Sequence, residues 1–356
     1  MIGIDLFAGA GGMSLGAQMA GISVEFAVEL DKFAARTYTR NHPNADLRNV
    51  DIRSVTKKTL EAWLFRRDDL IVFGGPPCQG FSWSNARTRN TANDANWLFK
   101  EYLRVVKLLN PAWVVFENVQ GIVDTAEGIF VREMSDSLDR LGYAVHPARL
   151  NASHFGVPQD RTRYFLVGAR DGRAFSFPLP RPERVTVNDA IRDLPHLSNG
   201  HSKCWNTYGR AWPSSYAKRL RKGLSGCCNH LVTRNAPFVL KRYTHVPPGG
   251  NWENIPARMM RNYTDRSRCH TGIYYRLKHN EPSIVIGNFR KNMLIHPTED
   301  RGLSVREAAR IQSFPDGYTF CGSIGFQQQQ VGNAVPPLLA FEVFKSVVAA
   351  HGTKRS

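Results

Sequence analysis

The sequence predicts an α/β protein in which helices cover both faces of a sheet and a second, smaller and irregular domain is inserted. Three observations predict this. Over residues 1–170, short apolar runs typical of strands alternate with amphipathic stretches of helical period. A glycine-rich turn follows the first run, as in βα units that bind nucleotides. After a long irregular segment, the patterns typical of strands and helices return near the C-terminus.

The first of these units is a strand, a glycine-rich turn and a helix. Residues 2–7 are the apolar run, residues 8–12 the turn AGAGG, and residues 13–19 the helical stretch. Glycines permit a tight turn and a close approach of the backbone to a ligand. The spacing is not the GxGxxG of a dinucleotide site and no GK[ST] follows, so a phosphate cradle is not favoured.

Acidic residues end the next two predicted strands. Glu29 follows the run at 23–28, and Asp51 stands at the end of a short third strand within 49–52. A carboxylate at the tip of the second strand is placed to hold ribose hydroxyls, while Asp51 and Ile52 would contact the amino group and the face of an adenine. The alternative is that both acids cap helices. Together with the glycine-rich turn, Glu29 and Asp51 predict an adenosine-type cofactor. The two acids would suit a cofactor that carries a positively charged sulfonium group.

A cysteine stands at the end of the fourth predicted strand. The run at 70–73 breaks in GGPPCQGFS at 74–82, where prolines stiffen the turn that presents Cys78. Catalytic groups of open α/β sheets collect at the carboxyl ends of strands. Cys78 is therefore a candidate nucleophile, and the alternative is a small buried cysteine of the core.

Two further features would complete a site around that thiol. A polar stretch at 83–96 contains Arg87 and Arg89, and its length predicts a mobile loop. A strand at 112–116 then ends in Glu117, on the same rim as Cys78. Burial beside an apolar wall would raise the proton affinity of Glu117, which suits a general acid. The alternative is a surface acid at the start of a loop.

An arginine pair lies between two later strands, predicted at 143–150 and 164–167. Arg161 and Arg163 are two residues apart on an extended segment, so we expect them to point to one face and to grip a base carbonyl or a phosphate. The alternative is two solvated side chains. Further along, the sequence predicts a strand at 283–286, a helix capped by Ser304 with Glu307, and a last helix at 338–348.

The segment that begins at residue 173 is irregular and strongly basic. The chain of 356 residues has a formal net charge of +17, and residues 201–300 hold 17 Lys and Arg against five Asp and Glu. Basic residues interleaved with aromatics fit a surface that binds nucleic acid, whereas a merely basic surface or an anionic membrane surface is the alternative. The Cys and His residues of this segment do not follow a standard zinc spacing, so no metal is predicted. They are His201, Cys204, Cys227, Cys228, His230, Cys269 and His270.

The composition is that of a globular protein, with 42% hydrophobic and 22% charged residues. No apolar run approaches the roughly 18 residues that span a membrane, and no signal peptide is visible, so neither membrane insertion nor secretion is expected. Six cysteines in a chain of this length are no disulfide framework. We therefore expect a cytoplasmic protein with free thiols.

With these residues in view, the sequence resembles the DNA (cytosine-5)-methyltransferases of the bacterial restriction-modification type. The matching blocks stand in that family's order: DLFAGAGG at 5–12, GGPPCQGFS at 74–82, ENV at 117–119, QDRTR at 159–163, REAARIQSFPD at 306–316 and QVGNAVPP at 330–337. The resemblance implies a Rossmann-like, S-adenosylmethionine-dependent methyltransferase sheet. It also implies a catalytic domain of residues 1–172 and 283–356 and a target-recognition domain of residues 173–282.

The resemblance implies roles for individual residues as well. Cys78 would be the nucleophile, Glu117 the group that bonds N3 of cytosine, and Arg163, with Arg161 in the same block, the contact to the O2 atom of the base. Residues that would contact DNA are Gln79, Ser82, Arg87 and Arg89. Residues that would surround S-adenosylmethionine are Phe7, Ala8, Gly9, Gly11, Gly12, Glu29, Leu30, Asp51, Ile52, Pro76, Asn333 and Val335.

The implied reaction is methyl transfer to C5 of a cytosine flipped out of a specific double-stranded DNA sequence, through a covalent adduct of Cys78 at C6. The enzyme is expected to be a monomer of the bacterial cytoplasm, held to the nucleoid by DNA, with a cognate restriction endonuclease acting separately. One rival is an RNA-methylating member of the family, which the long basic middle disfavours. The other is a binding-only relative, which would be expected to lack Cys78 or Glu117.

Overall fold

The structure of the protein is a computed structural model that describes residues 1–77, 98–124, 128–209, 212–263 and 269–352. The strands are β1 (Ile2–Leu6), β2 (Ser23–Val28), β3 (Asp46–Arg48), β4 (Leu70–Gly74), β5 (Trp113–Val119), β6 (Tyr143–Asn151), β7 (Thr162–Arg170), β8 (Trp205–Thr207) and β9 (Gly226–Cys228). The α-helices are α1 (Gly12–Met19), α2 (Lys32–Asn41), α3 (Leu98–Leu109), α4 (Gly121–Asp124), α5 (Ile129–Arg140), α6 (Val187–Ile191), α7 (Ser215–Arg221), α8 (Pro237–Tyr243), α9 (Val305–Ile311), α10 (Ile324–Asn333) and α11 (Pro337–Gly352).

Seven strands form one sheet in the order β3-β2-β1-β4-β5-β7-β6. The first five strands in this order are parallel to one another, and β7 runs antiparallel to both β5 and β6. Parallel strands bring their carboxyl ends to one edge, where the turns that follow β1, β2, β4 and β5 meet. The predicted α/β class is confirmed.

Both faces of the sheet are covered, as predicted, because β1 and β4 are buried at every position. On one face, Ile4 and Val72 belong to a core shared with α3 and α5. On the other face, Phe73 contacts Phe344 of α11 with the ring centroids 4.9 Å apart. Alternate side chains of a strand point to opposite faces, so continuous apolar runs build two cores at once.

Two helices on the second face cross closely at a glycine. A β-carbon at Gly16 of α1 would lie 2.5 Å from Cβ of Ala340 and 2.7 Å from the backbone nitrogen of Phe341 in α11. Any side chain larger than hydrogen would therefore push the two helices apart. The helix that follows the glycine-rich turn is thus in close contact with α11 at Gly16.

Among the described residues, one stretch, Ile324–Gly352, has the length and composition of a membrane span, with a mean hydropathy of 1.3 and half of its most apolar window buried. The stretch is not one continuous helix, because Ala334 between α10 and α11 is extended, with φ −63° and ψ 147°. Pro336 and Pro337 follow, and proline cannot continue a helix. These features are typical of helices in a protein core. Core helices can match a membrane span in length and composition, so the match is weak evidence of a membrane.

The chain divides into two compact units. The first contains residues 1–155, 162–180 and 337–356, and the second contains residues 156–161 and 181–336. Residues 283–336, which the resemblance assigns to the catalytic domain, thus lie in the second unit. The reason is local packing within that unit: α9 packs against α6 and α10, and Ser283 pairs with Gln159. The functional division at 172/173 and 282/283 stays a prediction.

The second unit is irregular, with one two-stranded sheet of β8 and β9 in its described part, and buried ion pairs hold its loops. Arg310 of α9 donates to Asp193 and to Asp316, each at 2.6 Å, with all three side chains fully buried. The predicted capping box of α9 is confirmed: Ser304 Oγ accepts from the Glu307 N–H, and the Glu307 carboxylate accepts from the Ser304 N–H.

Two predicted strands are wrong, one in its position and one in its existence. The third strand, β3, is Asp46–Arg48 and does not lie within 49–52, because its polar sequence DLR does not stand out as an apolar run. The apolar run at 283–286 forms no strand; Ser283 makes an isolated parallel bridge to Gln159. Strand formation there would require a neighbouring strand, which no local pattern reveals.

Candidate active site

The glycine-rich turn joins β1 to α1 and is held by its own backbone and by one side chain. Gly9 and Gly11 have φ of 55° and 86°, in the left-handed region, and Phe7 also has a positive φ, 62°. The Gly11 N–H donates to the Ala8 carbonyl at 2.9 Å, and the Ala8 N–H donates to Val28 at 3.0 Å. A β-carbon at Gly9 would meet nothing within 4 Å, so this residue faces open space.

Glu29 lies at the end of β2, and both of its carboxylate oxygens accept backbone N–H groups. Oε2 accepts from Gly9 at 2.7 Å, and Oε1 accepts from Asp31 at 2.7 Å. Burial raises the pKa of Glu29, and these two hydrogen bonds oppose the effect. Asp31, not Glu29, caps α2. The carboxylate predicted to hold a ribose therefore also fixes the glycine-rich turn.

Asp51 and Ile52 lie beside the end of β3. The Asp51 carboxylate accepts from the Arg53 N–H at 2.9 Å and caps a short 3-10 helix, so the capping alternative is what the structure shows for this acid. Ile52 is buried, at 4% exposure. Leu30 is 66% exposed at the tip of β2, and Asn49 Nδ2 donates to its carbonyl at 3.0 Å.

The turn after β4 reaches the sheet edge next to β5. Gly74 pairs with Leu6 on one side and with Phe116 on the other, which sets Gly75 beside Glu117. Asn118 Nδ2 donates to the Pro76 carbonyl at 3.0 Å, and the Asn118 side-chain oxygen accepts from the Val119 N–H. Asn118 therefore holds the backbone two residues before Cys78. The ENV block contains Asn118, but the sequence alone does not predict this contact.

Glu117 forms a buried ion pair with Arg163. Arg163 Nε lies 3.1 Å from Glu117 Oε1, and the two side chains are 11% and 9% exposed. Antiparallel pairing of β5 with β7 sets Val119 opposite Arg163, which brings the arginine to the carboxyl end of β5. Burial lowers the pKa of the Arg163 guanidinium, and Glu117 opposes this. Glu117 is thus a buried acid and not the surface acid of the alternative interpretation.

Arg161 hydrogen-bonds to main-chain carbonyls, whereas Arg163 pairs with Glu117, so the two arginines have different protein partners. Within the second unit, the Arg161 guanidinium donates to the carbonyls of Ile286, Gly332 and Ala334 at 2.9–3.1 Å, and the side chain is 2% exposed. A guanidinium has five N–H donors and no acceptor, and these three carbonyls accept three of its hydrogen bonds. These contacts of Arg161 are structural, and its catalytic role stays a prediction.

Several predicted residues lie outside the described part of the first unit. Cys78, Gln79, Ser82, Arg87 and Arg89 lie outside the described residues. Asn333 and Val335 belong to the second unit, where Asn333 is exposed at the end of α10 and Val335 is buried. Their roles stay predictions.

Over residues 1–77, 98–124, 128–209, 212–263 and 269–352, no group of three or more His, Cys, Asp or Glu residues has the arrangement of a metal site. In the basic segment, one ring nitrogen of His230 lies 2.8 Å from Ser304 Oγ and the other 2.9 Å from the Pro195 carbonyl. Both nitrogens are therefore engaged in hydrogen bonds of the protein. Burial raises the pKa of the Cys227 thiol to about 12, so it stays protonated at neutral pH.

A buried acid–arginine pair and a glycine-rich turn at one sheet edge thus accompany the sequence blocks quoted above. A family model described as C-5 cytosine-specific DNA methylase matches residues 1–349. The chain belongs to this family. The match spans both compact units, so the expected class of enzyme, a DNA (cytosine-5-)-methyltransferase, is confirmed.

Curated relatives and solved structures agree with the family. The chain is 37% identical to the type II methyltransferase M1.HphI of Haemophilus parahaemolyticus over 97% of this chain and 86% of that protein. It is 34% identical to the type II methyltransferase M.DdeI of Desulfomicrobium norvegicum over 95% of this chain and 86% of that protein. A crystal structure of a prophage-encoded DNA modification methyltransferase of E. coli superposes with a TM-score of 0.79, 26% identity and coverage of 98% and 99%. The methyltransferase fold predicted from the sequence is therefore confirmed.

Proposed function

We propose that this C-5 cytosine-specific DNA methylase transfers the methyl group of S-adenosylmethionine to a cytosine flipped out of double-stranded DNA, through an adduct of Cys78 at C6. The observation that carries the proposal is the Glu117–Arg163 pair, 3.1 Å between Nε and Oε1, beside the Gly75–Pro76 turn that leads directly into Cys78. An acid and a cation fixed at the entrance of the cysteine turn suit a pyrimidine with a ring nitrogen and a carbonyl to bond.

The glycine-rich turn fits the methionine and ribose parts of the cofactor. Gly9 faces open space in which a β-carbon would meet no atom within 4 Å, and Glu29 lies at the tip of β2 beside it. Leu30, 66% exposed, offers an apolar surface for the adenine. The other residues proposed to hold the cofactor are Phe7, Ala8, Gly11, Gly12, Asp51, Ile52, Pro76, Asn333 and Val335. S-adenosylmethionine, when bound, supplies the electrophilic methyl group.

The residues of the chain prepare the cytosine for that group. C5 of cytosine is a poor nucleophile until a thiolate adds to C6. The Cys78 thiolate forms the S–C6 bond, and Glu117 hydrogen-bonds or protonates N3, which leaves an enamine with electron density on C5. After C5 is methylated, loss of its proton expels the thiolate and restores the aromatic ring. Arg163 holds Glu117 and contacts O2 of the base.

Arg161 is proposed as a positioning residue and not as a catalytic one, because its guanidinium is engaged by the carbonyls of Ile286, Gly332 and Ala334. These carbonyls include both neighbours of Asn333, a residue proposed to contact the cofactor. Arg161 would therefore act through the backbone of the turn between α10 and α11.

DNA is the substrate to which the family points, and the basic charge of the chain suits a polyanion. We propose that residues 173–282 recognise the target sequence, that residues 1–172 and 283–356 carry the chemistry, and that Gln79, Ser82, Arg87 and Arg89 contact DNA. A monomer acting in the bacterial cytoplasm on nucleoid DNA, with a separate cognate endonuclease, is the proposed context. Type II relatives support this context.

A mechanism-based trap tests the adduct. Duplex DNA that carries 5-fluorocytosine at the target, incubated with S-adenosylmethionine, is expected to become covalently linked to Cys78. Release of the thiolate requires loss of a proton from C5, and in 5-fluorocytosine a fluorine atom stands in place of that proton. Peptide mapping locates the linkage. A Cys78→Ala variant that still transfers labelled methyl groups at the normal rate would disprove the proposal.

The target and the nucleic-acid class need a separate experiment. Sequencing of methylated bases in DNA from cells that express the chain is expected to give one short motif with 5-methylcytosine at a fixed position. A transfer assay with duplex DNA and transfer RNA side by side then decides between the DNA enzyme and its RNA-methylating rival. Transfer to RNA alone would reject DNA as the substrate.

A further inference from the structure

A chain of buried polar side chains lies under the glycine-rich turn. Ser14 Oγ donates to Asp5 Oδ2 at 2.6 Å and lies 2.7 Å from the Tyr38 hydroxyl. Asp5 is 1% exposed, and Ser14 and Tyr38 are fully buried. The three residues come from β1, α1 and α2, so one hydroxyl joins three elements at one point.

This cluster, Asp5–Ser14–Tyr38, is costly to fold and has no part in the chemistry described above. Asp5 faces Ser14 directly, and no Lys or Arg nitrogen within the described residues pairs with its carboxyl group. A buried carboxyl group without a cation is expensive, and an apolar side chain would pack here at lower cost. The sequence already shows the anomaly, because Asp5 interrupts the apolar run IGIDL.

The cluster is placed to set the geometry of the turn. Ser14 lies in the first helical turn of α1, which begins at Gly12 with Gly11 as its N-terminal cap. Gly11 has no side chain that could accept from the first N–H groups of the helix. Ser14 instead ties the first turn of α1 to β1 and α2. From the other side, Glu29 holds the Gly9 N–H at 2.7 Å.

We infer that Asp5, Ser14 and Tyr38 are positioning residues for cofactor binding, which keep the turn at 7–12 in the conformation that receives S-adenosylmethionine. This inference rests on the proposed cofactor site. The cluster acts through hydrogen bonds and not through the charge of Asp5, because Ser14 needs an acceptor at Oδ2 that an amide oxygen also provides.

Equilibrium binding on the full chain, by titration calorimetry, tests the inference. Ser14→Ala is expected to weaken binding of S-adenosylmethionine and of S-adenosylhomocysteine equally, by about tenfold. This factor corresponds to the net contribution of one to two buried hydrogen bonds. Tyr38→Phe is expected to weaken both in the same direction. Binding of duplex DNA by these variants stays within about twofold of the parent. Asp5→Asn retains cofactor binding, whereas Asp5→Ala loses it as Ser14→Ala does.

Matched substitutions separate positioning from general destabilisation. Ser153→Ala removes another fully buried serine hydroxyl of the first unit, hydrogen-bonded to Asn151 at 3.1 Å. Tyr143→Phe removes a buried phenol that donates to the Pro111 carbonyl at 2.7 Å. Both are expected to lower the melting temperature as much as their counterparts and to leave cofactor affinity unchanged.

The outcomes are distinct. If the parent chain binds S-adenosylmethionine and Ser14→Ala binds it equally well, the positioning role is wrong while the proposed function stands. A loss for S-adenosylmethionine alone, with S-adenosylhomocysteine unaffected, would replace positioning by a charge effect and overturn the inference. A parent chain that binds neither compound would overturn the proposed cofactor instead.

Discussion

A β-carbon at Gly75 would lie 2.6 Å from Glu117 Oε2 and 3.3 Å from the Glu117 main-chain oxygen. The turn at Gly75 and the strand that carries Glu117 therefore approach each other as closely as a glycine allows. The neighbouring Gly74 is tighter still, because a β-carbon there would lie 1.9 Å from the Leu6 carbonyl oxygen. The glycine pair that the sequence presents as a strand breaker is also required by packing at the sheet edge.

Gly75→Ala should displace the Glu117 carboxylate and so slow methyl transfer. A shift of about 1 Å in a positioning group can cost about a hundredfold in rate, and we expect a loss of that order in kcat under saturating DNA and cofactor. Gly352→Ala is the control, since a β-carbon there meets nothing within 4 Å. An unchanged kcat for Gly75→Ala would show that Glu117 does not need its observed position.

Glu117→Gln should abolish methyl transfer and also destabilise the fold. It leaves the Arg163 guanidinium buried without a counter-charge, and breaking a buried pair costs about 3 kcal/mol. Glu117→Gln together with Arg163→Gln should recover much of that stability and none of the activity. Chemical denaturation measures the free energy of unfolding of both.

The control for the ion pair is Glu133→Gln, which removes a partner of Lys100 in a half-exposed pair with Nζ and Oε1 3.4 Å apart. This change should cost less than about 1 kcal/mol. Equal destabilisation by Glu117→Gln and Glu133→Gln would mean that the Glu117–Arg163 pair contributes no more than a surface pair.

Asp5→Asn should stabilise the protein increasingly as the pH rises. Burial raises the pKa of Asp5 from 3.8 to about 8, the Ser14 hydrogen bond lowers it, and Glu29 raises it further. Between these values the folded state holds a proton that the unfolded chain has lost, so this group's stabilisation is complete below pH 3.8 and falls away up to about pH 8. The melting-temperature difference between Asp5→Asn and the parent should grow over that window. A difference independent of pH would show that Asp5 titrates normally.

His296 should make the second unit sensitive to acid. Burial lowers its pKa to about 4 from 6.5, against the opposing effect of Glu307, with Arg301, Glu299 and His196 as the other charged neighbours. Its Nδ1 atom accepts from the Thr298 and Glu299 N–H groups at 3.3 and 3.2 Å, which requires the neutral ring. The unfolded chain therefore takes up a proton first as the pH falls from 6.5 to 4, and stability declines in that window.

His296→Asn keeps an acceptor near the Nδ1 position and should reduce this acid sensitivity, measured as melting temperature against pH between 6.5 and 4. His245→Asn, at an exposed position, should leave the profile unchanged. Parallel profiles of His296→Asn and the parent would assign the acid sensitivity to other groups.

Local signals in the sequence were sufficient for the elements that carry the site. Apolar runs bounded by glycine and proline predicted β1, β2 and β4, and the capping box predicted the start of α9. Both signals are local, because an apolar run and a capping box each consist of residues close together in the chain. The predicted position of a strand was wrong where its apolar pattern was weak. The polar strand β3 was misplaced, and with it Asp51, which caps a short helix.

The sequence by itself determined the fold class, the order of the blocks and the residue types at the sheet edge. Only the tertiary structure decided which of these residues meet: Gly75 with Glu117, Asn118 with Pro76, and Arg163 with Glu117 while Arg161 binds elsewhere. The physical reason is that strand register and helix crossings bring together residues far apart in the chain, and a hydrogen bond of 3 Å depends on that register and not on local pattern.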